Sequence, residues 1–178
     1  MNAKEVRDAL VEGLYGHLGG IPVYRSGQAR PEEGFPYVAY SVTATNRGSG
    51  TIGHYEVAGA GEDAEEIRRE QASMSLSFTA CSQNRGDGTG ATIYGEDEAQ
   101  EVAERAHGWF AHAGYDYFMG KGVVISDVTE IQGRNMLMVD EEVNRKGFDV
   151  ICSYISEDRR KVGAVRKASI RRGKGGRG

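Results

Sequence analysis

Residues 71–82, QASMSLSFTACS, alternate apolar and small polar side chains with a period of two. The apolar positions are Met74, Leu76, Phe78 and Ala80, and serine or threonine stands between them. Successive side chains of a β-strand point to opposite faces of its sheet. The pattern therefore predicts a strand from about Ile67 to Ser82 that is buried on one face.

A second strand is predicted from Val143 to Ile155, and it is apolar on both faces. One face carries Phe148, Val150, Cys152 and Tyr154, and the other carries Ile151 and Ile155. A strand with two apolar faces is central in its sheet or has one face against a neighbouring molecule. We therefore take Ile151 and Ile155 as candidate interface residues, together with Arg145 at the polar edge that enters the strand.

Two helices are predicted from apolar residues at helical spacing. The first covers residues 3–18, where Val6, Leu10 and Leu14 form one stripe. The second covers residues 96–113; it begins with three acids, which suit the positive end of a helix dipole, and continues with an alanine-rich stripe. Both stripes are of the kind that packs on a sheet.

Further strands are predicted over 37–45 and 123–131, with 136–139 as an extension of the latter. The expected fold is α+β, with one mostly antiparallel sheet of about four long strands and two helices packed on one face. Residues 46–62 are rich in glycine and include the short strand-like run TIGHYEV, so they predict a protruding hairpin or loop arm. Because such an arm can reach a neighbouring molecule, Thr51, Ile52 and Tyr55 are further candidate interface residues.

The distribution of charge divides the chain in two. The whole chain has 22 basic and 26 acidic residues, and residues 159–178 contain nine of the basic residues and no acid. The preceding residues, 1–158, therefore hold 13 basic against 26 acidic side chains and form the expected single domain. The candidate contact residues of the flexible basic tail are Arg159, Arg160, Lys161, Arg166, Lys167, Arg171 and Arg172.

Three interpretations of the basic tail remain open. It is a solvated end, a nucleic-acid contact that releases counterions from phosphates, or a segment that docks on an acidic protein. Aromatic residues are not interleaved with its charges, so stacking on bases is not supported.

Candidate catalytic and metal-binding chemistry is sparse. The sequence has no GxSxG, Walker or HExxH motif, and His107 and His112, five residues apart, lie on different faces of the predicted helix. The acids Asp140 to Glu142 are a solvated edge or, alternatively, a calcium or catalytic cluster. Cys81 and Cys152 lie within apolar strand patterns and are expected to be reduced core thiols. We expect no enzyme activity, no cofactor and no metal.

Membrane insertion is not expected either. No run approaches the roughly 18 apolar residues that a transmembrane helix requires. The N-terminus, MNAKEVRDAL, is charged and lacks the apolar core of a signal peptide.

Several segments together resemble the tail-terminator or neck-terminator proteins of tailed bacteriophages. After the N-terminal helix come PVYRSGQARPEEGFPYVAY at 22–40 and RREQASMSLSF at 68–78. The helix EAQEVAERAHGWF at 98–110 then precedes the strand GVVISDV at 122–128, and EEVNRKGFDVICSY closes the pattern at 141–154. The resemblance covers about residues 1–156, and the 46–66 region and the basic tail depart from it.

The resemblance implies a structural virion protein of the tail or neck, assembled in the host cytoplasm. Members of that family form a hexameric ring that caps the tail tube, ends its polymerisation and joins it to the head–neck connector. The implied partners are further copies of the chain, the tail tube protein, a connector or stopper protein, and the sheath protein if the tail is contractile. DNA would pass through the ring without sequence-specific contact.

Other functions stay open at this point. The chain could be another neck component, such as a stopper, a tail-completion protein or a head–tail adaptor. A nucleic-acid-binding protein that uses the basic tail is a second class, and an enzyme that binds a metal at Asp140 to Glu142 is a third.

Overall fold

A computed structural model describes residues 1–27, 34–47, 53–60, 63–134 and 143–162. The first half of the chain forms α1 (Ala3–His17), β1 (Val23–Arg25), β2 (Tyr37–Arg47), β3 (His54–Ala58) and β4 (Glu65–Ser82). The second half begins with β5 (Arg85–Gly86), β6 (Thr92–Ile93) and α2 (Gly95–Gly108), which continues into a π-helical turn (Trp109–Ala113). It ends with α3 (Tyr115–Gly120), β7 (Val123–Val128), β8 (Gln132–Gly133) and β9 (Asn144–Lys161).

Strands β4 and β9 are the two long central strands of a seven-stranded sheet. They pair antiparallel along their whole length, from Glu65 opposite Lys161 to Ser82 opposite Asn144. β2 and β3 pair with successive parts of the other edge of β4, while β7 and β8 pair with the other edge of β9. The short β1 runs parallel to β2 at the end of the sheet, and β5 and β6 form a separate two-stranded hairpin.

The helices cover one face of this sheet. The alternating residues Met74, Leu76 and Phe78 are buried in the same core cluster as Val6, Leu10 and Leu14 of α1 and Val102, Ala103 and Ala106 of α2. Phe78 lies at the centre, with its ring within 6.3 Å of the rings of Tyr40, Phe110 and Phe148. The period-two alternation in β4 therefore marks the face that packs against the helices, as predicted.

Local signals in the sequence fix where α1 begins. The side chain of Asn2 accepts a hydrogen bond from the backbone N–H of Glu5, whose carboxylate accepts one from the backbone N–H of Asn2. This reciprocal capping box satisfies two N–H groups that would otherwise have no partner at the helix start. The helix is followed by Gly19 and Gly20, both with positive φ, a conformation that favours glycine.

The α+β class and the mostly antiparallel sheet are confirmed, but the number of elements is larger than predicted. The main sheet has seven strands rather than about four, and the described residues contain three α-helices rather than two. The additional strands β1, β3 and β8 are two to five residues long, too short to show a periodic pattern. The predicted helix 96–113 is α2 plus the π-helical turn, and α3 follows directly after Gly114.

The predicted boundaries of the last strands also need correction. The strand predicted over 123–131 ends at Val128, and its expected extension over 136–139 lies outside the described residues. β9 continues to Lys161 instead of stopping at Ile155. Arg159, Arg160 and Lys161, assigned to a flexible tail from the sequence, are therefore strand residues paired with β4. The stabilising contacts are cross-strand ion pairs, which leave no apolar pattern in the sequence.

Candidate assembly interface

Two of the four histidines contact aromatic rings, and both cysteines are buried. His17 stacks on Trp109, and His107 meets the ring of Phe148 edge-on. Cys81 and Cys152 are free and buried, and burial raises the pKa of Cys152 to about 11. Within the described part of the chain, no three His, Cys, Asp or Glu residues are grouped to hold a metal ion.

The face of the sheet opposite the helices is lined with small hydroxyl side chains. On β4 these are Ser73, Ser75, Ser77 and Thr79, all half-buried. Their partners on β9 include Ile151, opposite Ser75, and Ser153, opposite Ser73. Ile151 is half-buried and Ile155 is exposed, so the second apolar face predicted for β9 lies on this open side of the sheet.

One arginine lies across part of the open face. Arg134 donates hydrogen bonds to Ser77 Oγ (2.5 Å), Thr79 Oγ1 (3.2 Å) and Asp149 Oδ1 (2.8 Å). A Cβ atom at Gly147 would lie 2.7 Å from Arg134 Cδ, so this glycine provides the space for the arginine. Burial opposes ionisation of Asp149, but hydrogen bonds from Arg134 and Ser77 outweigh it and lower the pKa of the carboxyl group.

Beyond the helices, the sheet continues as a three-stranded arm, formed by His54–Ala58, Glu65–Arg69 and Glu157–Lys161. Five residues of strand correspond to about 16 Å at roughly 3.3 Å per residue. All five residues of β3 are exposed. The hairpin or loop arm predicted over 46–62 thus contains a strand. The strand predicted from about Ile67 already reached this region, whereas the extension of β9 to Lys161 and the pairing of the three strands were not predicted.

An ion-pair network covers one face of the three-stranded arm. Arg69 bridges Glu56 (Nη1–Oε2 2.6 Å) and Glu157 (Nε–Oε2 2.8 Å), and Arg159 pairs with Glu157 at 2.7 Å. Hydrogen bonds from Arg69 and Arg159 lower the pKa of the Glu157 carboxyl group. Ile67 lies between Glu56 and Arg159 in the strand register and is only 4% exposed. The charged side chains therefore surround a small apolar centre.

The other face of the three-stranded arm exposes apolar side chains. Tyr55 and Val57, which are 48% and 63% exposed, point to the same side of β3 because they are two residues apart. Tyr55 lines a surface cavity with Arg68 and Arg160. Arg160 binds both carboxylate oxygens of Glu66, at 2.7 and 3.0 Å, and the first of these hydrogen bonds helps to lower the pKa of Glu66.

An apolar groove lies at the opposite edge of the sheet, along β7. It has a volume of about 340 Å³ and is lined by all six residues of β7 and by residues of α2, the π-helical turn and α3. Tyr115, Met119 and Val124 line this β7 groove and are each more than half exposed. The groove also contains His107, His112 and Asp127. Among the described residues, β7 has a strand neighbour on one side only, namely β9.

The structure places the predicted interface residues in separate regions. Tyr55 is on the three-stranded arm, whereas Ile151 and Ile155 are on the open face. Arg145 is half-buried near the start of β9, where its carbonyl accepts a hydrogen bond from the Arg134 N–H. The predicted residues outside the described part of the chain are Thr51, Ile52, Asp140, Glu141, Glu142, Arg166, Lys167, Arg171 and Arg172.

Sequence reasoning missed the β7 groove. Tyr115 and Met119 are four residues apart, a spacing that places them on one side of a helix, and this was the available signal.

Among the described residues, no helix has both the length and the apolar character needed to cross a membrane.

Comparison with known proteins identifies the family. The family model described as "Phage neck terminator protein" matches residues 8–174, which is nearly the whole chain. No match was found among curated proteins. The family match agrees with the resemblance seen in the sequence. The chain belongs to the phage neck terminator protein family.

Proposed function

We propose that this protein forms a closed ring that caps the tail tube, ends its polymerisation and joins the tail to the head–neck connector. The observation that carries the proposal is the presence of two unlike apolar surfaces on opposite edges of one sheet. A ring requires two different complementary surfaces on each subunit, whereas a twofold dimer uses one surface twice. Six subunits are the expected number, following the resemblance stated above.

The proposed partners follow from a position in the neck of the virion. They are copies of the same chain, the tail tube protein, the connector or stopper protein, and the sheath protein in a contractile tail. The protein has no proposed catalytic role, membrane contact or cofactor, and it would assemble in the host cytoplasm. DNA would pass through the ring without sequence-specific contact, because an acidic protein repels the phosphate backbone.

The ring can be tested by measuring mass and tube length together. Purified protein is expected to give one oligomer of fixed size by mass photometry, alone or when mixed with tail tubes, because heterologous contacts that close leave no free surface. Electron microscopy is expected to show the oligomer at one end of each tube, and tubes assembled without it should be longer and variable in length. A stopper or adaptor would bind the neck without changing tube length, so unchanged tube lengths would contradict the terminator proposal.

We also propose that the basic C-terminal segment docks on an acidic protein of the neck. Residues 163–178 hold six basic residues and no acid, and Arg160 is already bound to Glu66 within the three-stranded arm. A deletion should therefore begin at Gly163 and leave β9 intact. Attachment of purified ring to the connector or tube is expected to weaken at least tenfold, while the ring still forms.

The alternative partner of this segment is DNA. Duplex binding with a steep salt dependence that disappears in the 163–178 deletion would favour that function, since each phosphate contact releases counterions. A deletion that changes neither attachment nor DNA binding would show that the segment is a solvated end. Charge substitution of Lys4, an exposed lysine already paired with Asp8 at 2.9 Å, is a control for nonspecific effects.

A further inference from the structure

We infer that the exposed face of the three-stranded arm of one subunit, centred on Tyr55 and Val57, occupies the β7 groove of the next subunit. The inference rests on the proposed ring and specifies its contact. The occupant of the groove is therefore a second copy of this chain.

Exposed apolar side chains are concentrated in these two places. Eight large apolar side chains of the described residues are exposed, and five of them belong to the two surfaces: Tyr55, Val57, Tyr115, Met119 and Val124. A sixth, Ile155, lies beside Val124 in an adjoining surface cavity. Contiguous exposed apolar surface marks an interaction site more often than scattered single residues do.

The two surfaces cannot meet within one subunit. β3 pairs with β4, and β7 pairs with β9, so β4 and β9 lie between them. Three strand spacings of about 4.8 Å separate the two edges by roughly 14 Å. A contact between the surfaces therefore joins different subunits. A joined pair still has one unused surface of each kind, at its two ends, and a closed ring uses every surface.

The arm face has a small excess of positive charge, and the β7 groove contains a carboxylate. Three arginines, Arg68, Arg159 and Arg160, and two acids, Glu66 and Asp158, lie beside Tyr55. Arg68 and Arg160 already pair with Glu70 and Glu66, but a guanidinium group has five N–H donors, so further donors remain. Asp127 of the β7 groove forms no ion pair with the described residues. Docking of the arm brings these arginines toward the carboxylate of Asp127, which favours the correct partner and orientation.

The contact relies on side chains more than on a continuous strand ladder. The pairing register of β7 shifts between Ile125 and Asp127, which indicates a β-bulge at this edge. A bulge and a charged residue at an edge strand hinder indiscriminate pairing with other strands. An aromatic side chain that fills an apolar pocket supplies both area and orientation at an interface, and Tyr55 is in position to do this.

The contact can be tested by cross-linking a cysteine pair placed beside the central side chains, Asp158→Cys next to Tyr55 on the arm with His112→Cys in the β7 groove. A short bismaleimide is expected to convert rings of this variant into a ladder of covalent oligomers that reaches the full ring size. Both positions are exposed, whereas the native thiols of Cys81 and Cys152 are buried and remain unmodified. The matched control replaces Asp158→Cys by Tyr94→Cys, because Tyr94 is also exposed but lies outside both surfaces.

Two aspartate variants provide an independent measurement. Tyr55→Asp and Met119→Asp are each expected to lose the ring while keeping the wild-type circular dichroism spectrum and melting temperature, because both side chains are exposed. Each variant keeps one intact surface, so a mixture of the two is expected to form dimers but no larger species.

The outcomes separate this inference from the proposed function. Rings of the cysteine-pair variant that give no cross-linked ladder, or rings that persist in both aspartate variants, would overturn the inference and leave the proposed ring in place. Such a result would mean that solvent or another protein, such as the tube protein, fills the groove. Wild-type protein that forms no ring, either alone or on tail tubes, would contradict the proposed function and the inference with it.

Discussion

Replacing Phe78 by alanine is expected to lower the free energy of unfolding by about 3–5 kcal/mol, the usual cost of removing a buried aromatic side chain. Phe78 is fully buried, and its ring centroid lies 4.8 Å from that of Phe110 and 6.0 Å from that of Phe148. The substitution removes apolar contacts from the sheet and from the helical layer at once. Because total stabilities are about 5–15 kcal/mol, this loss should leave the protein close to unfolding.

Equilibrium unfolding in urea is the measurement, with the midpoint and slope fitted together. The matched control is Ser75→Ala on the same strand, since Ser75 is half-buried on the open face. That change is expected to stay within about 0.5 kcal/mol of wild type, as for most surface substitutions. A loss below 1 kcal/mol for Phe78→Ala would show that the aromatic cluster is not the centre of the core.

The second large effect is expected at Gly95, the first residue of α2. A Cβ atom there would lie 2.6 Å from the backbone carbonyl carbon of Gln83 and 2.7 Å from its Cα. Side-chain rotation cannot relieve an overlap with backbone, so Gly95→Ala must move α2 away from the end of β4. Overpacking of this kind typically costs about 1–3 kcal/mol.

The shift would also disturb a polar cluster at this junction. Arg85 donates two hydrogen bonds to Glu98 of α2, at 2.7 and 2.8 Å, and Ser82 at the end of β4 donates to the same carboxylate. The pKa of the Glu98 carboxyl group is lowered, and the hydrogen bond from Arg85 is the largest cause. Gly95→Ala is therefore expected to fall at the upper end of its range.

The control for Gly95 is at the other end of the same helix. Gly108 has helical dihedral angles, φ −60° and ψ −31°, and an added Cβ atom would meet nothing within 4 Å. Gly108→Ala is expected to stabilise the protein by about 0.5–1 kcal/mol, because alanine favours the helix more than glycine does. The melting temperatures of Gly95→Ala and Gly108→Ala are measured against wild type. Equal shifts of the same sign in the two variants would contradict the packing argument.

The sequence determined which residues form the core. The alternation in β4 and the four-residue spacing in α1 both arise because one face of each element is buried, and burial of one face imposes a local period. Val6, Leu10 and Leu14 therefore could be assigned to the interior without tertiary information, as could Met74 and Phe78. The family resemblance could also be seen at this level, because it rests on the order of these elements along the chain, and the family model confirms it.

The tertiary structure alone decided the arrangement of the surfaces. The three-stranded arm is stabilised by cross-strand pairs such as Arg69 with Glu157, whose positions are 88 residues apart, so no local pattern shows that its strands pair with one another. The β7 groove arises where α3 and the π-helical turn meet an edge strand, and it depends on which strand is at the edge. Periodicity reports the burial of a single element, whereas partner strands and sheet edges depend on contacts between distant segments, which no local pattern encodes.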